Sequence, residues 1–313
     1  MPSAPSPAEA PRVADALRRE SVRIGEGAIH VFLWCCAAVS VLTTIGIVLL
    51  LLAESLRFFE EVSLWEFLTA TRWTPQFSND PRFGILPLFC GTLLVTGGAI
   101  LLAAPLGLGT AIYLSEYASP AVRETVKPLL EVLAGIPSVV YGVIAVTTVS
   151  PIVRATFNSD SIFNALSASI VVGFMIMPTI ISLSEDVLRS VPRDLRSAAY
   201  ALGATKYDVT AKVVVPAALS GIVASFLLAI SRAVGETMAV TLAAGTRPNM
   251  TLNPLEGVQT MTAAIVNISS GDAPAGSLEY RTIFAVGLAL FVCTMALNLL
   301  AQSVLGRMRE KYE

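Results

Sequence analysis

Six long apolar stretches constrain this chain more than any other feature of its sequence. A helix needs about 20 mostly apolar residues to cross the hydrocarbon layer of a membrane. Charged residues make up 14% of the chain, well below the share of about 25% in an average soluble domain. The sequence therefore predicts an all-α integral membrane protein with six transmembrane helices, near residues 30–53, 86–114, 129–150, 165–183, 213–244 and 282–305.

The stretch before the first span is polar, rich in alanine and proline, and has no apolar core. The first span itself is long, and no small-residue cleavage pattern follows it, so we expect a retained helix instead of a signal peptide. The expected organisation is a disordered cytoplasmic leader, residues 1–27, followed by one membrane domain, residues 28–313.

The distribution of lysine and arginine predicts the orientation, because these residues accumulate in cytoplasmic loops. Fourteen of the 21 lie in the leader, the 115–128 loop, the 184–212 loop and the C-terminal tail, and six lie on the opposite side. Both termini are therefore expected in the cytoplasm. Of the two long outer loops, 54–85 and 245–281, the first contains Trp65, Phe67 and Trp73, which suit an interfacial helix or a belt at the membrane interface.

Several classes of activity find no support in the sequence. No G-x-x-x-x-G-K-[ST] motif occurs, so the chain does not hold ATP by a P-loop. The single histidine, His30, and the cysteines (Cys35, Cys36, Cys90 and Cys293) form no C-x-x-C or H-x-x-x-H spacing, and metal or redox sites are poorly supported. A net charge of −2 gives no basic field for nucleic acid. We expect a protein that is not an enzyme and has no cofactor of its own.

The most informative stretch lies in the 184–212 loop. Its pattern predicts a short helix in which Ala198, Ala199 and Leu202 share one face, followed by a turn at Gly203 and then a new apolar helix. Glycine at that position allows a sharp turn after a helix end. A small apolar face of this kind would fit a groove on a partner protein, although the pattern alone is equally compatible with a loop helix on the membrane surface.

This stretch resembles the EAA loop of ABC importer permeases, E-A-A-x-x-x-G-x(9)-I-x-L-P. Ser197 stands where that family usually has glutamate, so an ion pair from this position is in doubt. In the family, the helix inserts into a cleft of the ATPase subunit, which implies a coupling role for the matching residues. These are Ala198, Ala199, Gly203, Val213, Val215 and Pro216.

A second resemblance, from about Trp73 to the C-terminus, narrows the family to phosphate-specific permeases of the PstC type. It implies a type I importer with a MetI-like bundle in the cell membrane, in which this chain forms half of the pathway. The implied partners are a PstA-type permease, a PstB-type ATPase dimer that holds ATP and Mg²⁺, and a PstS-type phosphate-binding protein. The matching strings are Trp73–Pro75, Phe83–Pro87, Gly91–Leu93, Pro105–Gly107, Tyr113–Tyr117, Gly135–Gly142 and Arg232–Thr241.

Two charges inside the fifth span are the candidate pathway residues. Arg232 and Glu236 are four residues apart, so a continuous helix would place them on one face. An arginine at the centre of a membrane helix costs about 2.5–3.5 kcal/mol on insertion scales, and either a buried ion pair with Glu236 or a polar pathway would reduce that cost. A guanidinium forms forked hydrogen bonds to phosphate oxygens, and the resemblance implies that both residues, with Thr237 nearby, line the phosphate path.

Three alternatives remain open from the sequence. The chain could be a permease for another oxyanion, such as sulfate, molybdate or phosphonate. From another class, it could be a secondary carrier driven by protons or sodium, although such carriers show more membrane carboxylates. A structural or sensory membrane protein is the third alternative, and transport and phosphate sensing need not exclude each other.

Overall fold

The computed structural model describes residues 23–77 and 80–309. Within these ranges the regular structure is helical, apart from one isolated bridge between Trp73 and Phe83. The chain divides into two compact units, Met1–Leu52 and Ala53–Glu313. Most of the leader, residues 1–22, lies outside the described residues, and the described part of the first unit is helical throughout.

Thirteen α-helices, some extended by π-turns, make up the described structure. Three π-turns continue α3, α5 and α9, and they span Tyr113–Tyr117, Ala145–Val149 and Thr210–Val214 respectively. The helices are α1 Arg23–Glu61, α2 Leu64–Thr69, α3 Leu86–Ile112, α4 Pro120–Gly135, α5 Ser138–Ile144, α6 Ser150–Phe157, α7 Ala165–Ser190, α8 Arg193–Ala201, α9 Lys206–Val209, α10 Val215–Val234, α11 Met238–Ala244, α12 Met261–Ser269 and α13 Leu278–Arg309.

Six continuous helical segments are long and apolar enough to cross a membrane, which confirms the predicted fold class and number of spans. Each is longer than about 18 residues, the length that a 30 Å hydrocarbon layer requires at its lower limit. The segments are Gly27–Glu61, Leu86–Tyr117, Ser138–Phe157, Ala165–Ser190, Lys206–Val234 and Leu278–Ser303.

The third predicted span, 129–150, begins too early. Residues 129–135 belong to α4, a separate amphipathic helix that also occupies most of the predicted 115–128 loop. Ile136 and Pro137 then adopt extended backbone with ψ of 129° and 138°. A residue before proline is disfavoured from helical backbone, and this is why the apolar run is divided here and the span starts at Ser138.

The fifth predicted span, 213–244, is not one helix. α10 ends at Val234 and α11 begins at Met238, so the apolar run continues through a break in the helix.

The fourth span is longer than predicted. Helix α7 runs to Ser190, beyond the predicted end at residue 183 and into the predicted 184–212 loop.

Helix α7 is the centre of the second unit and packs most extensively against α3 and α10. A side chain at Gly98 would meet the Ser169 Oγ at 2.5 Å, so glycine permits the close approach of α3 and α7. The Ser169 hydroxyl donates a hydrogen bond to the Val95 carbonyl oxygen at 3.1 Å. Small residues and interhelical hydrogen bonds are the usual means of helix association in membranes.

The predicted loop 54–85 contains a short helix, α2, and contributes aromatic side chains to a buried cluster. Trp65 is 75% exposed on α2, as a belt residue would be, but Phe67 and Trp73 are buried in a cluster with Phe58 and Phe83. Phe67 and Trp73 do not form an exposed belt, because the Phe67 ring packs edge-on against Phe58 and Trp73 lies in the same apolar cluster. The other alternative, an interfacial helix, stays a prediction for α2, which carries Trp65 and Phe67. The loop 245–281 likewise contains a buried helix, α12.

Candidate functional site

The break between α10 and α11 places Glu236 outside a regular helix. The Gly235 N–H donates to the Ser231 carbonyl and the Glu236 N–H donates to the Ala233 carbonyl, at 3.2 and 3.3 Å, which closes the last turn of α10. The Glu236 carboxylate then accepts a hydrogen bond from the Ala239 N–H of α11 at 3.2 Å. Glu236 therefore bonds the first turn of α11, and a continuous i, i+4 helical face with Arg232 does not exist.

A side chain of α12 also holds the backbone between α10 and α11 in place. Thr262 is buried, and its hydroxyl donates a hydrogen bond of 2.7 Å to the Glu236 carbonyl oxygen. The Thr237 hydroxyl bonds the Gly235 carbonyl at 3.2 Å, and the Thr241 hydroxyl bonds the Thr237 carbonyl at 2.7 Å. Non-helical backbone at membrane depth needs such internal partners.

Arg232 is exposed in the isolated chain and has a neutral partner. Its Nη1 donates a hydrogen bond of 3.3 Å to the hydroxyl of Thr179, a residue near the middle of the 26-residue α7. Within the described ranges, no ion pair includes Arg232, so the buried Arg232–Glu236 pair that the sequence left open is not formed. The guanidinium therefore keeps donors that can bind an anion.

A groove with mixed polar and apolar walls includes Thr179, the hydrogen-bond partner of this arginine. Its volume is about 250 Å³, and it runs along α7 from Thr179 past Ser182 to Lys127 of α4. Glu131 of α4 also lines this groove. Thr179 and Ser182 were not predicted as site residues, and the helical spacing of hydroxyls after Pro178 was the signal in the sequence.

The 184–212 region contains the short helix that the sequence predicted. α8 ends at Ala201, and Gly203 adopts a left-handed conformation with φ of 80°, which confirms the predicted turn. A Cβ atom at Gly203 would meet no atom within 4 Å. The constraint on Gly203 within this chain is therefore its backbone conformation, because non-glycine residues other than asparagine and aspartate rarely adopt it.

The surface of this segment is more apolar than the alanines alone suggest. Ala198 is exposed and Ala199 is half-buried, whereas Leu202 is 90% exposed and Tyr207 is 71% exposed. Leu202 follows the end of α8, so it projects from the turn. Val213, Val215 and Pro216 are half-buried at the transition into α10. Tyr207 had not been predicted as part of this surface.

A buried carboxylate lies where α7 approaches α4. Glu185 has a side chain that is 3% exposed and lies within 3.0 Å of Arg123 Nε and Lys127 Nζ, with Arg189 at 3.7 Å. Hydrogen bonds from Lys127 to Asp186 and Glu185 raise the pKa of the Lys127 ammonium above its usual value. Three cations around two carboxylates make a network that holds α4 against α7.

A second ion pair connects α8 to α3. Arg196 Nη1 lies 2.6 and 2.7 Å from the two carboxylate oxygens of Glu116, and its Nη2 donates to the Leu188 carbonyl oxygen at 2.7 Å. Glu116 belongs to the π-turn at the end of α3, and Leu188 to the last turns of α7. Sequence reasoning missed this contact, because its partners are 80 residues apart.

Comparison with known proteins places this geometry in a class. Residues 103–310 match the family described as "Binding-protein-dependent transport system inner membrane component". Two solved structures share the fold: a bacterial alginate ABC transporter, with a TM-score of 0.59 at 14% identity over 90% of this chain and 96% of that chain, and the MetNI methionine ABC transporter, with a TM-score of 0.55 at 16% identity over 72% and 94%. The helices and the comparisons define a multi-pass membrane permease of the ABC importer class.

The chain belongs to the family of binding-protein-dependent transport system inner membrane components. It is 34% identical to the probable ABC transporter permease protein YqgH of Bacillus subtilis over 92% of this chain and 94% of that protein. It is also 34% identical to the phosphate transport system permease protein PstC of Mesorhizobium japonicum, over 78% of this chain and 79% of that protein. These relatives confirm the resemblance to PstC-type permeases, and they are transport permeases instead of enzymes.

Proposed function

We propose that this chain is the membrane permease subunit of an ATP-driven phosphate importer and forms half of its translocation pathway. The observation that carries the proposal is Arg232, an exposed guanidinium whose hydrogen bond goes to a neutral hydroxyl at mid-membrane depth. An unpaired arginine inside a membrane segment is a functional residue by default. The identity to PstC proteins supports phosphate over sulfate, molybdate or phosphonate, and the family supports an importer over an ion-driven carrier.

Arg232 has the chemistry that a transient phosphate site requires. A guanidinium offers planar, paired donors that match two oxygens of an oxyanion. Thr179 holds the guanidinium through one long hydrogen bond of 3.3 Å, which is weaker than one of usual length and which an arriving anion can replace. Glu236 serves the path from outside the α10 helix: its negative charge limits how tightly an anion stays near the break, while Thr237 bonds backbone beside it.

ATP binding and hydrolysis belong to a partner in this proposal. The α8 helix, the turn at Gly203 and the apolar side chains of Leu202 and Tyr207 form a surface suited to a cleft on an ATPase subunit. Ala198 gives the exposed small-residue contact, and Ala199, Val213, Val215 and Pro216 support the helix from behind. A PstA-type permease, a PstB-type ATPase dimer that binds ATP and Mg²⁺, and a PstS-type binding protein complete the complex.

The proposed orientation places α8 and both termini in the cytoplasm of a bacterial cell. The charge distribution supports it, because lysine and arginine favour the side that contains the 184–212 region. The proposed domains are the leader, residues 1–27, and the membrane domain, residues 28–313, although residues 23–27 already belong to α1 and are not disordered.

Uptake of radiolabelled phosphate by the reconstituted complex tests the proposal. Loss of a hydrogen-bonded charge costs about 1.5–3 kcal/mol, so Arg232→Gln should lower uptake at least about tenfold, while assembly and phosphate binding by the PstS-type protein stay unchanged. Arg232→Lys should restore uptake in part, because it keeps the charge without the planar fork. Arg72→Gln, which removes an exposed arginine away from the break, is the matched control. Normal uptake by an assembled Arg232→Gln complex would overturn the pathway assignment.

A further inference from the structure

One guanidinium joins three elements at the end of the bundle that bears α8. Arg196 of α8 donates from Nη1 to both oxygens of Glu116 and from Nη2 to the Leu188 carbonyl. These contacts lie at 2.6 to 2.7 Å, the short range of charge-assisted hydrogen bonds. The result is a fixed connection from α8 to α3 and to α7.

Burial makes this connection stiff. The side chain of Glu116 is 6% exposed and that of Arg196 is 20% exposed, so water does not compete freely for either group. The Ser115 hydroxyl also donates to the Glu116 carboxylate at 3.0 Å, which fixes the acceptor. Exposed ion pairs are weak because water and salt screen the charges and because ordering two mobile side chains costs entropy. The Arg196–Glu116 pair is shielded from water and is held by additional hydrogen bonds, so neither loss applies in full.

The backbone around Glu116 is adapted to the contact. Glu116 lies in the π-turn Tyr113–Tyr117 that continues α3, and π-bulges in helices occur frequently at functional sites. The bulge ends where the Ala118 N–H bonds the Tyr113 carbonyl at 2.8 Å. Directly after it, Arg123 of α4 donates to the Leu114 carbonyl, so α4 is tied to the same turn.

We propose that Arg196 and Glu116 are positioning residues that carry the movement of α8 into the membrane helices α3 and α7. The proposal rests on the proposed function, because α8 is the element expected to contact the ATPase. Without the Arg196 contacts, α8 would be joined to the bundle by its chain connections and by the apolar packing of Val191, Ala199 and Ala204. ATPase closure would then move α8 without moving the helices that surround the path.

The test is the ratio of phosphate imported to ATP hydrolysed in the assembled complex. Loss of a charged hydrogen bond costs about 1.5–3 kcal/mol, so Arg196→Gln and Glu116→Gln should each lower this ratio about tenfold while ATP hydrolysis persists. Arg196→Lys should recover part of the ratio, because an ammonium can bond Glu116 but not Leu188 at the same time. Arg72→Gln, which removes an exposed arginine of the 54–85 loop outside α8 and its proposed docking surface, is the control and should leave the ratio unchanged.

A double variant separates a shared role from two independent ones. If the residues act through their contact, Arg196→Gln with Glu116→Gln should lower the ratio no further than either single change. Multiplication of the two losses, or an unchanged ratio in assembled single variants, would overturn the proposal. An equal fall of ATP hydrolysis, uptake and thermal stability would also overturn it, since that pattern marks a merely structural pair.

A distance measurement makes the proposal independent of the transported solute. Spin labels at the exposed positions Ser197 of α8 and Tyr113 of the π-turn report the separation of the two elements. In the wild-type complex, the distance should be the same with and without a non-hydrolysable ATP analogue, and in Arg196→Gln it should change with the analogue. A nucleotide-dependent distance in the wild type would refute the connection, whereas absence of phosphate uptake by the wild type would refute only the proposed function.

Discussion

Glu185 shows at the scale of one residue why a charge can lie inside this bundle. Its carboxylate has Arg123 and Lys127 at 3.0 Å, so its charge is compensated by side chains of α4. Desolvation of an unpaired carboxylate would cost several kcal/mol. The buried, ionised carboxylate of Glu185 is therefore stable only while α4 packs against α7.

Replacement of Glu185 should be far more damaging than replacement of its neighbour. Breaking a buried ion pair by removing one partner costs about 3–5 kcal/mol, so Glu185→Gln should strongly lower the unfolding temperature of the purified chain in detergent. Asp186 is 56% exposed, and Asp186→Asn should cost less than about 1 kcal/mol. Equal unfolding temperatures for the two variants would contradict this account.

The same network predicts a flat pH response through the physiological range. The pKa of Lys127 is raised above 10.5 by hydrogen bonds to Asp186 and Glu185. A group whose folded pKa is raised stabilises the fold fully below its unfolded pKa, and the contribution is lost as pH rises through the folded pKa. Unfolding temperatures of wild type and Lys127→Met should therefore differ by a constant amount between neutral pH and pH 9, and should converge above pH 10.5. A difference that disappears below pH 9 would contradict this assignment.

At the scale of an element, the break after α10 decides what Glu236 does. Its carboxylate caps α11 through the Ala239 N–H, and its carbonyl accepts from Thr262. The side chain itself has two properties that can be separated, its hydrogen-bond acceptor and its negative charge. Glutamine keeps an acceptor for the Ala239 N–H and removes the charge, whereas alanine removes both.

We expect Glu236→Gln to keep stability and to change transport. Loss of a capping acceptor costs about 1 kcal/mol, so Glu236→Ala should lower the unfolding temperature and Glu236→Gln should not. Both should reduce phosphate uptake if the charge itself belongs to the path. The measurements are thermal unfolding in detergent and uptake by the reconstituted complex. Wild-type uptake by Glu236→Gln would restrict Glu236 to capping.

The two turns, after α8 and after α10, show which parts of the structure could be predicted from the sequence and which could not. The end of α8 and the turn at Gly203 follow from local signals, since glycine is favoured where φ is positive. The break at Gly235–Thr237 does not, because apolar residues continue on both sides and its partner, Thr262, comes from a distant helix. Glu185 was missed for a related reason: its partner Lys127 is 58 residues away, and only packing of α4 against α7 brings the two together.

The turn after α8 gives a matched pair of variants. Asparagine and aspartate both tolerate a left-handed backbone, and open space surrounds the position in this chain. Gly203→Asn should therefore fold and retain most phosphate uptake, whereas Gly203→Asp adds a charge to a surface proposed to contact the ATPase and should lower uptake strongly. The stability of both variants is the control. Equal, normal uptake by both would contradict docking at this turn.

At the scale of the whole molecule, α7 connects the 245–281 region at one end of the bundle to α8 at the other. Its N-terminal end is bound to the 245–281 region, since the Ala165 and Leu166 N–H groups donate to the carbonyls of Glu256 and Pro254. Its other end leads into α8. A helix of 26 residues rises about 39 Å at 1.5 Å per residue, which exceeds the hydrocarbon layer of about 30 Å. Leu252 and Ser197 should therefore lie on opposite sides of the membrane.

Cysteine labelling in intact cells tests this arrangement and its direction together. In a background without the four native cysteines, a Leu252→Cys variant should react with a membrane-impermeant maleimide added outside, because Leu252 is 82% exposed. A Ser197→Cys variant is also exposed, but should react only after permeabilisation, since the excess of lysine and arginine favours the cytoplasm for that end. Both variants should react equally in detergent, which controls for accessibility. Reaction of Ser197→Cys from outside would reverse the orientation, and reaction of both from the same side would show that α7 does not span the membrane.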